Sequence, residues 1–227
     1  MEHEITSRPS YAQLTLALAA GESVRSEAGT MVSHSPGIDV ETSAEGGLLK
    51  SLSRSMFGGE SFFMNTFHAR QEAQLQLAPT LSGDIRHREL TDETLSVQSS
   101  SFLASDPTID VDTEFGGAKS FFGGEGLFLL HLTGTGPVFL SSYGAIEELT
   151  VREGQRRVVD TGHIVAFDES LSFDVRKVGG LKSTLFNGEG LVCEFRGDGR
   201  VWTQTRSPDA LLSWLVPKLP QRNPTTK

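Results

Sequence analysis

GGAKSFFGGEGLFLLHL, residues 116–132, is rich in glycine, carries a Lys-Ser pair and runs into an apolar stretch. Read alone, it looks like a phosphate-binding loop. Such a loop needs G-x-x-x-x-G-K-[ST], once, between a buried strand and a helix. Here Lys119-Ser120 precede the Gly-Gly-Glu, and the stretch recurs. FGGESFF begins at Phe57, FGGEGLF at Phe122 and FNGEGLV at Phe186, spacings of 65 and 64 residues. Each copy follows a Gly-Gly and a Lys-Ser pair: GGLLKS from Gly46, GGAKS from Gly116 and GGLKS from Gly179. A fixed long period is the mark of tandem structural units, so the stretch is a repeated hairpin tip and not a nucleotide site.

Upstream segments repeat in the same order. MVSHSPGIDVET, FLASDPTIDVDT and VAFDESLSFDVR align on Ile38-Asp39-Val40, Ile109-Asp110-Val111 and Phe173-Asp174-Val175. The segments alternate as strands do: in GLVCEF, Leu191, Cys193 and Phe195 share one face, Val192 and Glu194 the other. GLFLLHL is apolar on both faces apart from His131, which predicts a strand covered on both sides. Turn signals (SPG, SDP, GDG, NGEG) punctuate the chain, and long helical periods are missing from its body. The pattern predicts an all-β fold of three tandem, pseudo-threefold-related β-sandwich or β-roll units (double-stranded β-helix-like) with a short C-terminal helix. The expected boundaries are an N-terminal segment 1–10, units 11–78, 79–142 and 143–206, and a helix and tail 207–227. A unit of that size barely buries a core alone, so neighbours must share interfaces.

Two segments break the period. LLKSLSRSMF places Leu48, Leu49, Leu52 and Met56 at helical spacing, predicting a short helix near 48–56 as a candidate interface. SPDALLSWLV opens with an N-cap and N1 pattern, predicting a terminal helix that docks Leu211, Leu212, Trp214 and Leu215. Tyr143-Gly144 has no counterpart in the other units and reads as a loop that lost the symmetry.

Of 227 residues, 37% are hydrophobic and 22% charged, as in ordinary globular chains. The net charge of −9 repels phosphate backbones and disfavours nucleic acid as a partner. One cysteine, Cys193, excludes an internal disulfide framework and fits a reducing compartment. No run approaches the roughly 18 apolar residues of a membrane span, and no signal-like start is visible, so the expected location is the cytoplasm.

The candidate binding residues are the repeat-equivalent Lys50, Lys119 and Lys182 with Glu60, Glu125 and Glu189. They read as salt bridges across the loops, or, in a ring, as circles of like charge. His3, His34, His68, His87, His131 and His163 are far apart in sequence, so no metal and no cofactor is expected. Cys193 alternates with core residues and has no local base or oxyanion hole, and no catalytic constellation stands out.

EAGTMVSHSPGIDVET, GGESFF, SFLASDPTIDVD, FGGEGLFLLHLTGTGPVFLSSYGAIEEL, VDTGHIVAF and GDGRVWTQTRS resemble the altered-inheritance-of-mitochondria family, from about Tyr11 to Ser207. The resemblance implies three domains like those of the tryptophan RNA-binding attenuation protein, and homotrimers that set nine such domains in a ring. It implies no catalytic residues. Eukaryotic relatives are mitochondrial and affect inner-membrane organisation. The expected role is a non-enzymatic scaffold or binding protein forming such a ring, with itself and an unknown protein or a membrane as partners. The alternative is a ring that binds a small ligand or RNA.

Overall fold

The computed structural model describes residues 1–42, 63–113, 129–177 and 191–220. The expected helix at Leu48, Leu49, Leu52 and Met56 lies outside the described residues. The first unit follows β1 (Glu2–Thr6) and contains β2 (Gln13–Leu18), β3 (Ser23–Glu27), β4 (Met31–His34), β5 (Ile38–Thr42), β6 (Met64–Ala69) and β7 (Ala73–Leu77). The second has β8 (Ile85–Gln98), β9 (Phe102–Ser105), β10 (Asp110–Thr113) and β11 (Leu129–Ser141). The third has β12 (Ile146–Val151), β13 (Arg156–Asp160), β14 (Ile164–Asp168), β15 (Ser172–Lys177), β16 (Leu191–Arg196) and β17 (Gly199–Gln204), followed by helix α1 (Pro208–Leu215).

One pairing scheme occurs three times, all antiparallel. In the first unit β2-β7-β4 and β3-β6-β5 form two facing sheets, with β1 added beside β2. In the third, β12-β17-β14 faces β13-β16-β15. The second unit makes the same sandwich from long strands: β8 and β11 pair along their lengths, and β11 also takes β9 at one end and β10 at the other. To pass between sheets β11 shifts register at Gly134/Thr135. There Gly134 has φ +143, and a Cβ on it would lie 2.8 Å from the Thr108 carbonyl, so only glycine fits.

The units are joined edge to edge. Strand β3 pairs with β9 of the next unit, setting Arg25 against Ser105, and β8 pairs with β14, setting Ser96 against Phe167. Both receiving strands bulge beside the joint, skipping Leu103 in β9 and Val165 in β14. Each bulged side chain is fully buried in the cluster of the preceding unit: Leu103 with Val24, Phe67 and Leu75, and Val165 with Leu95, Val97 and Leu130. Strand β4 has the same bulge, at Val32, yet Val32 is 53% exposed. Among the described residues β4 pairs only with β7, and β13 only with β16.

The cores hold the apolar faces predicted by alternation. Phe67, Phe102, Phe139, Phe167 and Phe195 are essentially inaccessible, each contributing about 2–3 kcal/mol of burial. On β11, Leu130 and Leu132 fill the second unit's core while Leu129 joins the third's, so the strand is covered on both sides at Leu129, whereas His131 and Thr133 face outward.

The C-terminal helix forms with its cap: the Ala210 amide donates to Ser207 Oγ at 3.4 Å, and Pro208 occupies the first turn. Among the described residues it finds no docking surface. No residue of α1 is buried, and Leu212, Trp214 and Val216 remain about half exposed. The cap is a local signal carried by two adjacent residues, whereas docking depends on which surface lies within reach.

Candidate functional site

A cleft of about 790 Å³ lies at the joint between the second and third units. Its floor is the outer face of the second unit's sheet: Thr94 and Ser96 from β8, Asp110 and Asp112 from β10, and His131 and Thr133 from β11. Period two sets this face, because Leu95, Val97, Val111, Leu130 and Leu132 between these residues point into the core. The opposing wall is the start of β15 and the turn before it, with Glu169, Leu171, Ser172, Phe173, Asp174 and Val175. Phe167 closes the end, meeting Phe173 edge-to-face at 5.1 Å between ring centroids. Ser96 Oγ lies 3.4 Å from His131 Nδ1. Four carboxylates, Asp110, Asp112, Glu169 and Asp174, thus share one cleft with two phenyl rings.

The joint between the first and second units has the same backbone and a different filling. Arg25 stands where Ser96 stands: each lies on the joining strand and faces the next unit at the corresponding ladder position. The turns that follow also match, since Ile109 N–H donates to Asp106 O and Leu171 N–H donates to Asp168 O, both at 3.1 Å. Across this crevice the Arg25 guanidinium donates to Pro107 O at 2.8 Å and Ile109 O at 3.4 Å. Glu169 and Leu171 hold the corresponding places in the open cleft.

Those turns also correct the sequence alignment. They match Ile109 to Leu171, so Asp110 corresponds to Ser172 and not to Asp174. A slip of two residues leaves every side chain on its own face, and hydrophobic alternation cannot detect it. Asp39 pairs with Arg70, while Asp110 and Asp174 face the cleft from opposite sides.

Polar clamps surround the joints. The Arg8 guanidinium grips buried Asp84 through two bonds, Nε to Oδ1 at 2.6 Å and Nη2 to Oδ2 at 2.9 Å. Burial pushes the Asp84 carboxyl up, but Arg8 and the Ile85 and Ile146 amides outweigh it and hold the pKa below the usual range. At the second joint Trp202 lies against Arg88 and Arg200, at 5.3 and 5.1 Å, and its Nε1–H donates to Glu148 Oε2 at 3.1 Å. On the third unit's outer face Glu194 is ringed by Arg196, Arg176 and Arg156. The Arg196 bond dominates in lowering the Glu194 pKa, partial desolvation opposes it, and the other two arginines add to it.

Lys50, Lys119, Lys182, Glu60, Glu125 and Glu189 lie outside the described residues. His163 is a hydrogen-bonded strand-end residue, its Nδ1 2.7 Å from Gln204 O. His3 and His87, remote in sequence, meet with ring centroids 4.3 Å apart beside Phe139. Among the described residues no group of three or more His, Cys, Asp or Glu is placed to hold a metal ion. No helix of the described residues is long and apolar enough to cross a membrane. Cys193 is buried in the third core, and burial pushes its thiol up to about 12. Tyr143-Gly144 is a joint element: Gly144 bridges Gly83, and the Tyr143 amide donates to Gln204 Oε1 at 2.8 Å. The cleft itself had no sequence signal, because its residues come from four separated segments.

The comparisons with known proteins agree with this architecture. An uncharacterized protein of Streptococcus pyogenes serotype M6 is 30% identical over 211 residues, covering 89% of this chain and 85% of that one. A second S. pyogenes protein, solved by X-ray crystallography, superposes with a TM-score of 0.81 at 27% identity, over 96% of this chain and 99% of that one. The model of the family described as mitochondrial biogenesis AIM24 matches residues 3–206. The chain therefore belongs to the mitochondrial biogenesis AIM24 family.

Proposed function

We propose that the protein is a non-enzymatic scaffold or binding protein that assembles as a closed homotrimeric ring of nine β units. The observation that carries this reading is the pair of unmatched edges. Each internal joint inserts a bulged apolar residue, Leu103 or Val165, into the preceding core. Val32 is the third such residue and is 53% exposed, while β13 offers an edge that no described strand pairs, with Val158 at 49% exposure. Continuing the internal register would set Val158 against His34 and Val159 against Ser33 of the next copy. The polar neighbours of Val32, among them Gln74 and Gln76 across the ladder, suit a joint between molecules that fold before they meet. The packing of Cys193, with its thiol pKa pushed up to about 12, supports the non-enzymatic part.

Native mass spectrometry tests the ring. The expected species is three times 24.6 kDa. Val158→Lys should release monomers that keep their β circular dichroism, and a wild-type monomer at micromolar concentration would sink the ring.

A membrane-surface role belongs to the same proposal, supported by the exposed Leu212, Trp214, Val216 and Leu219 at the C-terminus. Liposome flotation with and without anionic lipid checks it. Wild-type protein that stays with the bottom fraction in both cases removes this part.

A second reading, a ring that binds a small ligand, is favoured by the cleft. Its carboxylates suit a cation and oppose RNA phosphates, so a cationic ligand is the form of this alternative that the site supports.

A further inference from the structure

We infer that the cleft between the second and third units binds a guanidinium-bearing molecule, whose head group takes the place that Arg25 fills in the neighbouring joint. This rests on the ligand-binding reading and is independent of the ring.

Two separate observations carry it. The first is an internal precedent. Two joints share one backbone, and in one of them the crevice is occupied by a guanidinium bonded to the carbonyls of Pro107 and Ile109. In the other, Ser96 replaces the arginine, and the cleft of about 790 Å³ opens beside the corresponding residues Glu169 and Leu171. The turn that presents those carbonyls is retained, down to its 3.1 Å hydrogen bond, although no arginine of the chain uses it from the Ser96 position.

The second is the charge and shape of the lining. Asp110 on the floor and Glu169 and Asp174 on the wall make the cleft anionic, which matches a cation and repels phosphate or carboxylate ligands. Phe173, half-buried on the wall, adds flat apolar surface, and guanidinium groups stack on such rings. A planar head with several N–H donors matches adjacent carbonyls and carboxylates better than a compact ammonium does. The described carboxylates are too dispersed to form a metal site, which leaves a polyatomic cation as the fitting ligand.

Isothermal titration of the full chain with butylguanidinium tests the assignment, with butylammonium and acetyl-arginine amide as parallel arms. The expected result is saturable binding of butylguanidinium, one per chain, weakening as salt is raised. Ser96→Arg supplies the head group in cis and should weaken binding about tenfold or more, with circular dichroism unchanged. Should that variant fail to fold, Asp174→Asn, on the exposed wall, should give about a tenfold loss instead. Arg25→Ser, which opens the first crevice, should raise the stoichiometry from one to two. Acetyl-arginine amide binding more tightly than butylguanidinium would assign the head group to a peptide, and the reverse order to a free small molecule; either keeps the guanidinium. Butylammonium binding as tightly as butylguanidinium, and lost in Ser96→Arg, would overturn the guanidinium assignment and leave a cation site. No binding by any of the three would overturn the inference and the cationic-ligand reading together.

Discussion

The two joints within the chain share a ladder and differ in almost every side chain that flanks it. At the first, Arg25 spans the crevice to the carbonyls opposite, and Arg8 clamps Asp84. At the second, Ser96 lines an open cleft, and Trp202 lies between Arg88 and Arg200. The comparison separates what the architecture demands from what it tolerates. Both joints keep the edge pairing, the bulge and its buried apolar residue, because unpaired backbone groups and an unfilled core cost free energy at either place. The crevice filling is under no such demand, and a site can therefore arise there without loss of the fold.

Breaking the second joint should cost most. Trp202 is 2% exposed and packs with Ile146, Val165 and Ala166 in the second core, so Trp202→Ala should lose about 3–5 kcal/mol. Urea titration followed by circular dichroism measures this, and a loss below about 1 kcal/mol would mean that the joint is held by the ladder alone.

Arg8→Ala tests the clamp of the first joint. It leaves the 2%-exposed Asp84 carboxylate without its bidentate partner and should cost about 2 kcal/mol at neutral pH. The pH dependence has a definite sign. The folded pKa of Asp84 lies below its unfolded value, so the stabilisation is present above about pH 4 and disappears as pH falls through the folded value. Wild type and variant should therefore converge in acid, and a gap that stays constant down to pH 2 would assign the loss to packing.

The smallest effect belongs to the crevice itself. Arg25→Ser removes two hydrogen bonds to carbonyls and should cost about 1 kcal/mol or less. Thermal melts with a resolution of about a degree are enough to see it, and a loss as large as that of Trp202→Ala would contradict the division between demand and tolerance.

The threefold architecture was legible because its signal is local and repeated. Glycine-rich segments at spacings of 65 and 64 residues mark the units, and alternation assigns the buried faces of strands such as Leu191–Arg196. The joints were not legible. Leu103 and Val165 are ordinary apolar residues in sequence, and only the bulge, a two-against-one mismatch in the ladder, turns them toward the preceding unit. The equivalence of Arg25 and Ser96 was hidden for a related reason: neither lies in a conspicuous motif, and only cross-strand pairing sets them in the same place. At the C-terminus the Ser207-Pro208 signal located the helix correctly, while the apolar count of Leu211–Leu215 overstated its packing because no receiving surface can be read from the helix itself.

The edge-to-edge ladder also bears on how such a chain can change over time. It joins two different edges, so it is heterologous, and a unit carrying both edges can meet copies of itself in the same way. In an assembly of identical separate units, one substitution alters every contact at once. Tandem fusion encodes each contact separately, so Arg25 and Ser96 could diverge while the backbone that holds them stayed the same. Duplication in this molecule thus supplies independent drafts of one interface within a single gene product.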